Sequence, residues 1–140
     1  ADCPLVMQLW NTYRSRWVGC WWAANGVQVI PTVSWGLHDS YDFCFLGLPE
    51  RSVLAVSTVG TRRDESARLP FLAGFETMLE RLSPTTVLCY GEPYVEMLAM
   101  TDLRLYPDYW QSVAAARRKY GQTKDYQALY TGDDKFEIDL

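Results

Sequence analysis

The segment Ser57–Asp64, with the sequence STVGTRRD, holds the densest group of side chains suited to ligand binding. Its hydroxyl groups, its glycine and the guanidinium groups of Arg62 and Arg63 lie between a predicted strand and a predicted helix. Guanidinium groups and exposed backbone amides bind phosphate or carboxylate. The segment is not a P-loop, because it lacks the two glycines and the lysine of that motif. The alternative interpretation is an ordinary polar connection with solvated arginines.

A second candidate group is centred on His38, the single histidine of the chain. With Asp39 and Asp42 close in sequence it could act as a general acid–base, because imidazole titrates near neutral pH and a carboxylate can fix its tautomer. The alternative is a surface histidine without function. Cys44 lies between two phenylalanines, which favours a buried, unreactive thiol over a nucleophile.

The sequence has no pattern typical of a metal or cofactor site. Its four cysteines, Cys3, Cys20, Cys44 and Cys89, lack the short paired spacing of a structural zinc site, and one histidine cannot complete such a site. We therefore expect no metal and no cofactor. Because no basic and then apolar leader is visible at the start, we expect reduced thiols in a protein of the bacterial host cytoplasm.

The segment Val27–Gly36 is predicted to be the central, buried strand of a parallel sheet, because it is apolar and rich in β-branched residues. Pro31 cannot donate to a ladder, so it marks a bulge or the point where the strand leaves the sheet. A first strand is predicted at Leu5–Trp10, and a helix follows it to Ala24. The apolar stripe of that helix includes Trp17 and Trp21, which we expect to be buried against the sheet.

Strands and helices alternate in the rest of the chain. Further strands are predicted at Ser52–Ser57, Thr85–Tyr90 and Leu103–Tyr106, and the longest helix is predicted to end at Leu82. Such alternation predicts an α/β fold with a mostly parallel sheet of four to five strands and helices on its faces, either open or part of a barrel. In sheets of this kind, ligands bind beyond the carboxyl ends of the strands.

Composition limits the possible organisation and partners of the chain. Its 140 residues, 49% hydrophobic and 21% charged, indicate a globular protein without a membrane-spanning segment. The net charge of −4 argues against generic binding to nucleic acid, which needs an excess of Lys and Arg. Residues 1–106 are predicted to form the α/β domain. Residues 107–140 form a C-terminal extension whose aromatic side chains favour packing on the domain or on a partner, with a homodimer slightly preferred.

Five motifs lie in order between Pro4 and Gly91. They are NTYRSR at 11–16, VIPTVSWG at 29–36, YDFCF at 41–45, LAVSTVG at 54–60 and VLCYG at 87–91. Together they resemble a bacterial and bacteriophage domain of unknown function, found in phages and other mobile elements, that has no established activity. The resemblance implies that most members have more chain before the position of Pro4. It also implies a shared ligand cleft, because the family's recurrent residues fall at the predicted strand ends.

We therefore expect a phage or mobile-element protein that binds a small anionic ligand, a nucleotide or a sugar phosphate, at the carboxyl ends of the strands. The alternative is a non-catalytic protein-interaction module that is dimeric or part of an assembly. An enzyme that uses the same cleft is a further possibility without an assigned reaction. The predicted ligand-binding residues share positions just beyond the predicted strands: Asn11, Arg14, Ser34, Trp35, Ser57, Thr58, Gly60, Arg62, Tyr90 and Gly91.

Overall fold

The computed structural model describes residues 3–63 and 65–120. Strands β1 (Val53–Ser57), β2 (Thr86–Tyr90) and β3 (Leu103–Tyr106) form an open parallel sheet in the order β1-β2-β3. The predicted α/β class with a parallel sheet is confirmed. The predicted number of four to five strands is wrong, since the described part of the chain forms three.

The described residues also form five α-helices, and two of them are preceded by a short 3₁₀ turn. They are α1 (Leu5–Ala24), α2 (Tyr41–Cys44) after the turn His38–Ser40, α3 (Glu65–Leu82) after the turn Thr61–Arg63, α4 (Val95–Met100) and α5 (Tyr109–Tyr120).

The prediction of a first strand at Leu5–Trp10 is wrong, because these residues form the first turns of α1. Hydrophobic periodicity alone does not separate a short apolar strand from a helix segment. The predicted end of the helix is right. Asn25 follows the last helical residue and its side-chain amide donates to the carbonyl of Trp21, and Gly26 then has a φ of +79°.

The segment Val27–Gly36 is not the central strand. It runs along the outer side of β1 and makes a single bridge, between Thr32 and Ala55. In that bridge Val33 N donates to Ala55 O at 2.8 Å, and Ala55 N donates to Pro31 O at 2.9 Å. Continuing the same register would require a donor from the nitrogen of Pro31, which has no hydrogen. The ladder therefore cannot extend from Thr32 towards Val29, and the segment forms the edge of the sheet.

The hydrophobic core lies between α3 and the sheet. Phe75 and Met78 of α3 are fully buried, as are Leu54 of β1 and Val87 of β2. These positions alternate along each strand and recur at helical spacing along α3, which is the pattern expected when one face of each element is covered.

The buried face of α3 also packs against the segment that precedes the first 3₁₀ turn. The indole of Trp35 lies 5.1 Å from the ring of Phe71 and 6.1 Å from the ring of Phe45, measured between centroids. Trp35 is thus part of the wall of the core.

Helix α1 lies outside this core, and none of its residues is buried. The prediction that Trp17 and Trp21 are buried is wrong, since they are 58% and 55% exposed. The side of α1 that meets the domain carries Arg16 among its half-buried residues. Arg16 donates from Nη2 to Cys44 O at 2.8 Å and from Nε to Leu46 O at 3.1 Å. These two bonds tie α1 to the end of α2.

The chain divides after Asp108 into two units, of which the second begins with α5. The apolar residues of the predicted C-terminal extension that lie beyond Tyr120 are outside the described residues, so its packing stays a prediction. Among the residues that the structure describes, no helix is both long enough and apolar enough to cross a membrane.

Candidate functional site

Six of the ten predicted ligand-binding residues come together at the carboxyl ends of β1 and β2, in the loops that begin at Ser57 and Tyr90. Thr58 N donates to Tyr90 O at 3.1 Å, and Gly91 N donates to Tyr106 O at 2.9 Å, so the loops are held by the strands next to them. Gly91 has a φ of +99°, and a Cβ there would lie 2.8 Å from Thr58 Oγ1. This position therefore requires glycine. The six residues are Ser57, Thr58, Gly60, Arg62, Tyr90 and Gly91.

Arg62 links the loop after β1 to the loop after β2. Its Nη1 donates to Pro93 O at 2.9 Å and to Glu92 O at 3.3 Å, and its Nη2 lies 3.5 Å from Glu92 Oε2. The guanidinium also lies 5.3 Å from the ring centroid of Tyr94, whose hydroxyl donates to Thr61 Oγ1 at 3.1 Å. Arg62 thus stabilises the loop, and part of its hydrogen-bonding capacity is already used there.

A cavity of about 350 Å³ beside these loops is lined by arginines and glutamates. Arg62 and Arg68 face Glu65, Glu92 and Glu96 in its lining, and Arg68 pairs with both Glu65 and Glu96. Three carboxylates against two guanidinium groups disfavour a small anion in this cavity. The sequence did not indicate this arrangement, because the three glutamates belong to separate elements.

The other four predicted residues lie along α1 and the edge segment rather than at strand ends. Asn11 and Arg14 line a cavity of about 680 Å³ between α1, the segment 29–32 and the loop 47–49. Asn11 also lines a smaller adjoining cavity of about 110 Å³ together with Ser34 and Trp35. Asn11 and Arg14 lie away from the strand ends because the strand assumed to precede Asn11 is part of a helix. We call the two adjoining cavities the α1 groove.

The α1 groove is positively charged and partly apolar. Arg14 and Arg16 are the charged side chains among its lining residues, and no acidic side chain lines it. Burial lowers the pKa of Arg16, while Cys44 and Cys20 act in the opposite direction; the guanidinium nonetheless stays protonated at neutral pH. Because Arg16 donates to two carbonyl groups, the more exposed Arg14 is the cation that a ligand in the groove would meet first.

The face of α1 that points away from the domain is the largest feature that the sequence did not place correctly. Trp10, Tyr13, Trp17 and Trp21 are each 51–58% exposed, and Trp10 stacks on Tyr13 with 5.6 Å between ring centroids. The sequence does show their helical spacing, but the same spacing is typical of a core-facing helix. A usable signal was the placement of Gln8, Thr12 and Arg16 at another helical spacing, on the opposite face of α1.

Among the residues that the structure describes, no hydrogen bond or ion pair joins His38 to Asp39, Asp42 or Cys44. His38 is exposed and its ring packs against Tyr41 at 5.3 Å between centroids. The prediction that Cys44 is buried is confirmed, and burial raises the pKa of its thiol. Within the described ranges, no group of three or more metal-ligating side chains is close enough to hold an ion.

Comparison with known proteins relates the chain to mycobacteriophage proteins. It is 38% identical over 110 residues to the Gene 1 protein of Mycobacterium phage D29, a match that covers 78% of this chain and 41% of that protein. It is 38% identical over 121 residues to the Gene 1 protein of Mycobacterium phage L5, covering 86% of this chain and 51% of that protein. The chain thus spans about half the length of the curated relatives it matches.

No solved structure gives a significant match to the chain. Residues 1–109 match a family described as "Domain of unknown function (DUF4417)". The match covers most of the chain, including all five motifs noted in the sequence, and it confirms the family resemblance that these motifs carry. The chain therefore belongs to this domain family of unknown function, whose matched relatives are bacteriophage proteins.

Proposed function

We propose that this chain is a non-catalytic protein-interaction domain that self-associates through the outward face of α1. The observation that carries the proposal is the exposure of that face: α1 has 20 residues, none of them buried, and carries a row of four half-exposed aromatic rings. Large exposed apolar patches mark interaction surfaces on folded proteins.

The exposed area of these rings approaches what a stable interface needs. A fully covered aromatic side chain buries about 150–250 Å², so rings exposed by 51–58% offer roughly 100 Å² each. Four such rings give about 400 Å² on one copy and about 800 Å² across a symmetric pair. A stable interface buries about 1,200–2,000 Å² in total. The rings of Trp10, Tyr13, Trp17 and Trp21 alone thus supply about half of it.

A second copy of the chain fits this face better than a charged partner does. Val6, Trp10, Tyr13 and Trp17 follow one another at alternating steps of four and three residues, and this spacing lets two helices pack along a continuous seam. None of these four side chains is charged, so they do not repel their copies in a pair, and Arg14 lies beside them on the same helix. A symmetric dimer is also the commonest closed assembly.

The mass of the purified chain in solution tests this proposal. We expect a concentration-dependent dimer by sedimentation velocity, and we expect Trp17→Glu to shift the mass to the monomer without lowering the melting temperature measured at dilutions where both proteins are monomeric. Trp22→Glu is the matched control, because Trp22 is 48% exposed on the same helix and lies about 140° around it from Trp17. A monomeric wild type, or dimers that persist in Trp17→Glu, would contradict self-association through α1.

A second proposal is that a small anionic ligand, a nucleotide or a sugar phosphate, binds at the ends of β1 and β2. It is supported by the convergence of six predicted residues at the strand ends, and it requires the ligand to bind there and not in the adjacent cavity, whose three glutamates disfavour an anion. The test is a thermal-shift screen with nucleotides and sugar phosphates. We expect the ligand-induced shift to vanish when Arg62→Ala and Arg63→Ala are combined. A shift that survives this double substitution, or no shift with any compound, would contradict the proposal.

A further inference from the structure

The edge segment presents backbone groups that no other strand pairs. Val33 N and Pro31 O point towards β1, as their bonds to Ala55 show. Because backbone groups alternate along an extended chain, the amides of Thr32 and Ser34 point the other way. Neither amide donates a hydrogen bond to any described residue. Unpaired amides along an extended edge are the template on which another strand adds.

This edge forms one wall of the α1 groove, and α1 forms the other. The helix runs back along the segment: a Cβ on Gly19 would lie 3.7 Å from Val29 Cγ1, and Gln8 at the other end of α1 lies against Gly36. The larger cavity, at about 680 Å³, is within the usual size range of binding sites. A groove between a helix and an open strand edge suits an extended peptide, since the edge pairs with its backbone and the helix contacts its side chains.

The positive charge of the groove favours acidic peptides over neutral or basic ones. Arg14 and Arg16 are cationic, and no acidic side chain lines either cavity, although the chain as a whole has a net charge of −4. Arg16 is held by the carbonyls of Cys44 and Leu46. Arg14 is therefore the group placed to pair with a carboxylate, because a guanidinium binds carboxylate through two parallel hydrogen bonds.

We propose that the α1 groove binds an extended acidic peptide segment of a partner protein by strand addition along Thr32–Ser34, with a peptide carboxylate on Arg14. Arg14 lies at the rim of the groove next to the outward face of α1, and the proposal extends the function proposed above without requiring self-association. Arg14 supplies the specificity for a carboxylate, and the edge supplies the pairing with the peptide backbone.

The test uses the full chain to select binders from a random library of short peptides, whose affinities are then measured by fluorescence anisotropy. We expect the selected peptides to be rich in Asp and Glu. Arg14→Glu should weaken their binding at least about tenfold, as loss of a charge-assisted hydrogen bond does. Arg118→Glu, which makes the same change at an exposed site on α5, should leave the affinity unchanged.

Two further variants separate strand addition from simple charge attraction. Thr32→Pro removes the amide that points away from β1 and should abolish binding, and peptides with alternate amides N-methylated should fail to bind the wild type. The methylated peptides decide the question if Thr32→Pro lowers the melting temperature. Basic or no selected peptides, unchanged binding after N-methylation, or equal affinities for Arg14→Glu and wild type would each overturn the proposal. Trp17→Gln, which alters the self-association face without adding a charge beside Arg14, should keep full affinity and so separates this site from that face.

Discussion

The contact between Gly74 and Trp35 allows packing to be weighed against helix propensity. Gly74 is buried in α3, and a Cβ at this position would overlap the indole of Trp35, with Cε2 only 2.7 Å away. The indole cannot easily move aside, because it also packs against the rings of Phe71 and Phe45. We therefore predict that Gly74→Ala destabilises the protein, although alanine is the better helix former.

The expected magnitude follows from two opposing effects. Replacing glycine by alanine inside a helix favours folding by about 1 kcal/mol, whereas overpacking a core costs about 1–3 kcal/mol. The upper half of that cost applies to Gly74, because the obstacle is a rigid ring rather than the end of a flexible chain. The net effect is a loss of about 1–2 kcal/mol in the free energy of unfolding.

Urea unfolding of matched variants measures this loss. Gly19→Ala in α1 is the control, since its new Cβ would meet Val29 Cγ1 at an ordinary 3.7 Å, and we expect it to stabilise by about 0.5–1 kcal/mol. Adding Trp35→Phe to Gly74→Ala should recover part of the loss, with a coupling of about 0.5–3 kcal/mol in the double-mutant cycle. The reasoning is refuted if Gly74→Ala stabilises the protein as Gly19→Ala does.

Two other predictions concern burial. Trp17→Ala should lower the free energy of unfolding of the monomer, measured in urea, by under about 1 kcal/mol, because the indole is mostly exposed. Phe75→Ala should lower it by about 3–5 kcal/mol, because this ring is fully buried. Similar losses for the two variants would mean that α1 is misplaced. Burial raises the thiol pKa of Cys44 and Cys89. Iodoacetamide should therefore modify the exposed Cys20 well before it modifies Cys44 or Cys89, as measured by mass spectrometry. Equal rates of modification at the three thiols would contradict this prediction. The same shifts contribute stability that is present below the ordinary thiol pKa and is lost as pH rises through the folded value.

The sheet was predictable because its strands are short apolar runs bounded by turn residues. Thr86–Tyr90 and Leu103–Tyr106 match their predictions to within one residue, as does Val53–Ser57. The end of the long helix at Leu82 was also predicted correctly. In each case local pattern and tertiary packing agree, which is the condition under which sequence reasoning succeeds.

The edge segment was mispredicted for a reason that its own sequence contains. Val27–Gly36 has the composition of a buried strand, but it pairs only at Thr32, and the missing amide of Pro31 prevents the ladder from extending towards Val29. Composition describes how well a strand packs, whereas the position of proline decides how far its ladder extends. Weighing the second effect more heavily would have placed this segment at the edge of the sheet.

The candidate site was also predicted correctly in one part and incorrectly in another. The strand-end rule gathered Ser57, Thr58 and Tyr90 correctly, because it depends only on topology. It could not show the glutamates around Arg68, since side chains from separate elements meet there only through tertiary packing. For the same reason, placing Asn11 at a strand end failed as soon as the residues before it proved to be helical.

Helix α1 shows why an apolar stripe does not by itself identify a core. In α3 the apolar face, with Phe75 and Met78, is turned to the sheet, as expected for a domain that folds around it. In α1 the orientation is reversed: Thr12 and Arg16 face the domain, and Trp17 faces outwards. The polar inner side leaves a charged groove beside an open strand edge, and the apolar outer side leaves a surface that water solvates poorly. One reversal of a helix thus creates both proposed interaction surfaces, and the unequal responses to Trp17→Gln and Arg14→Glu would separate them.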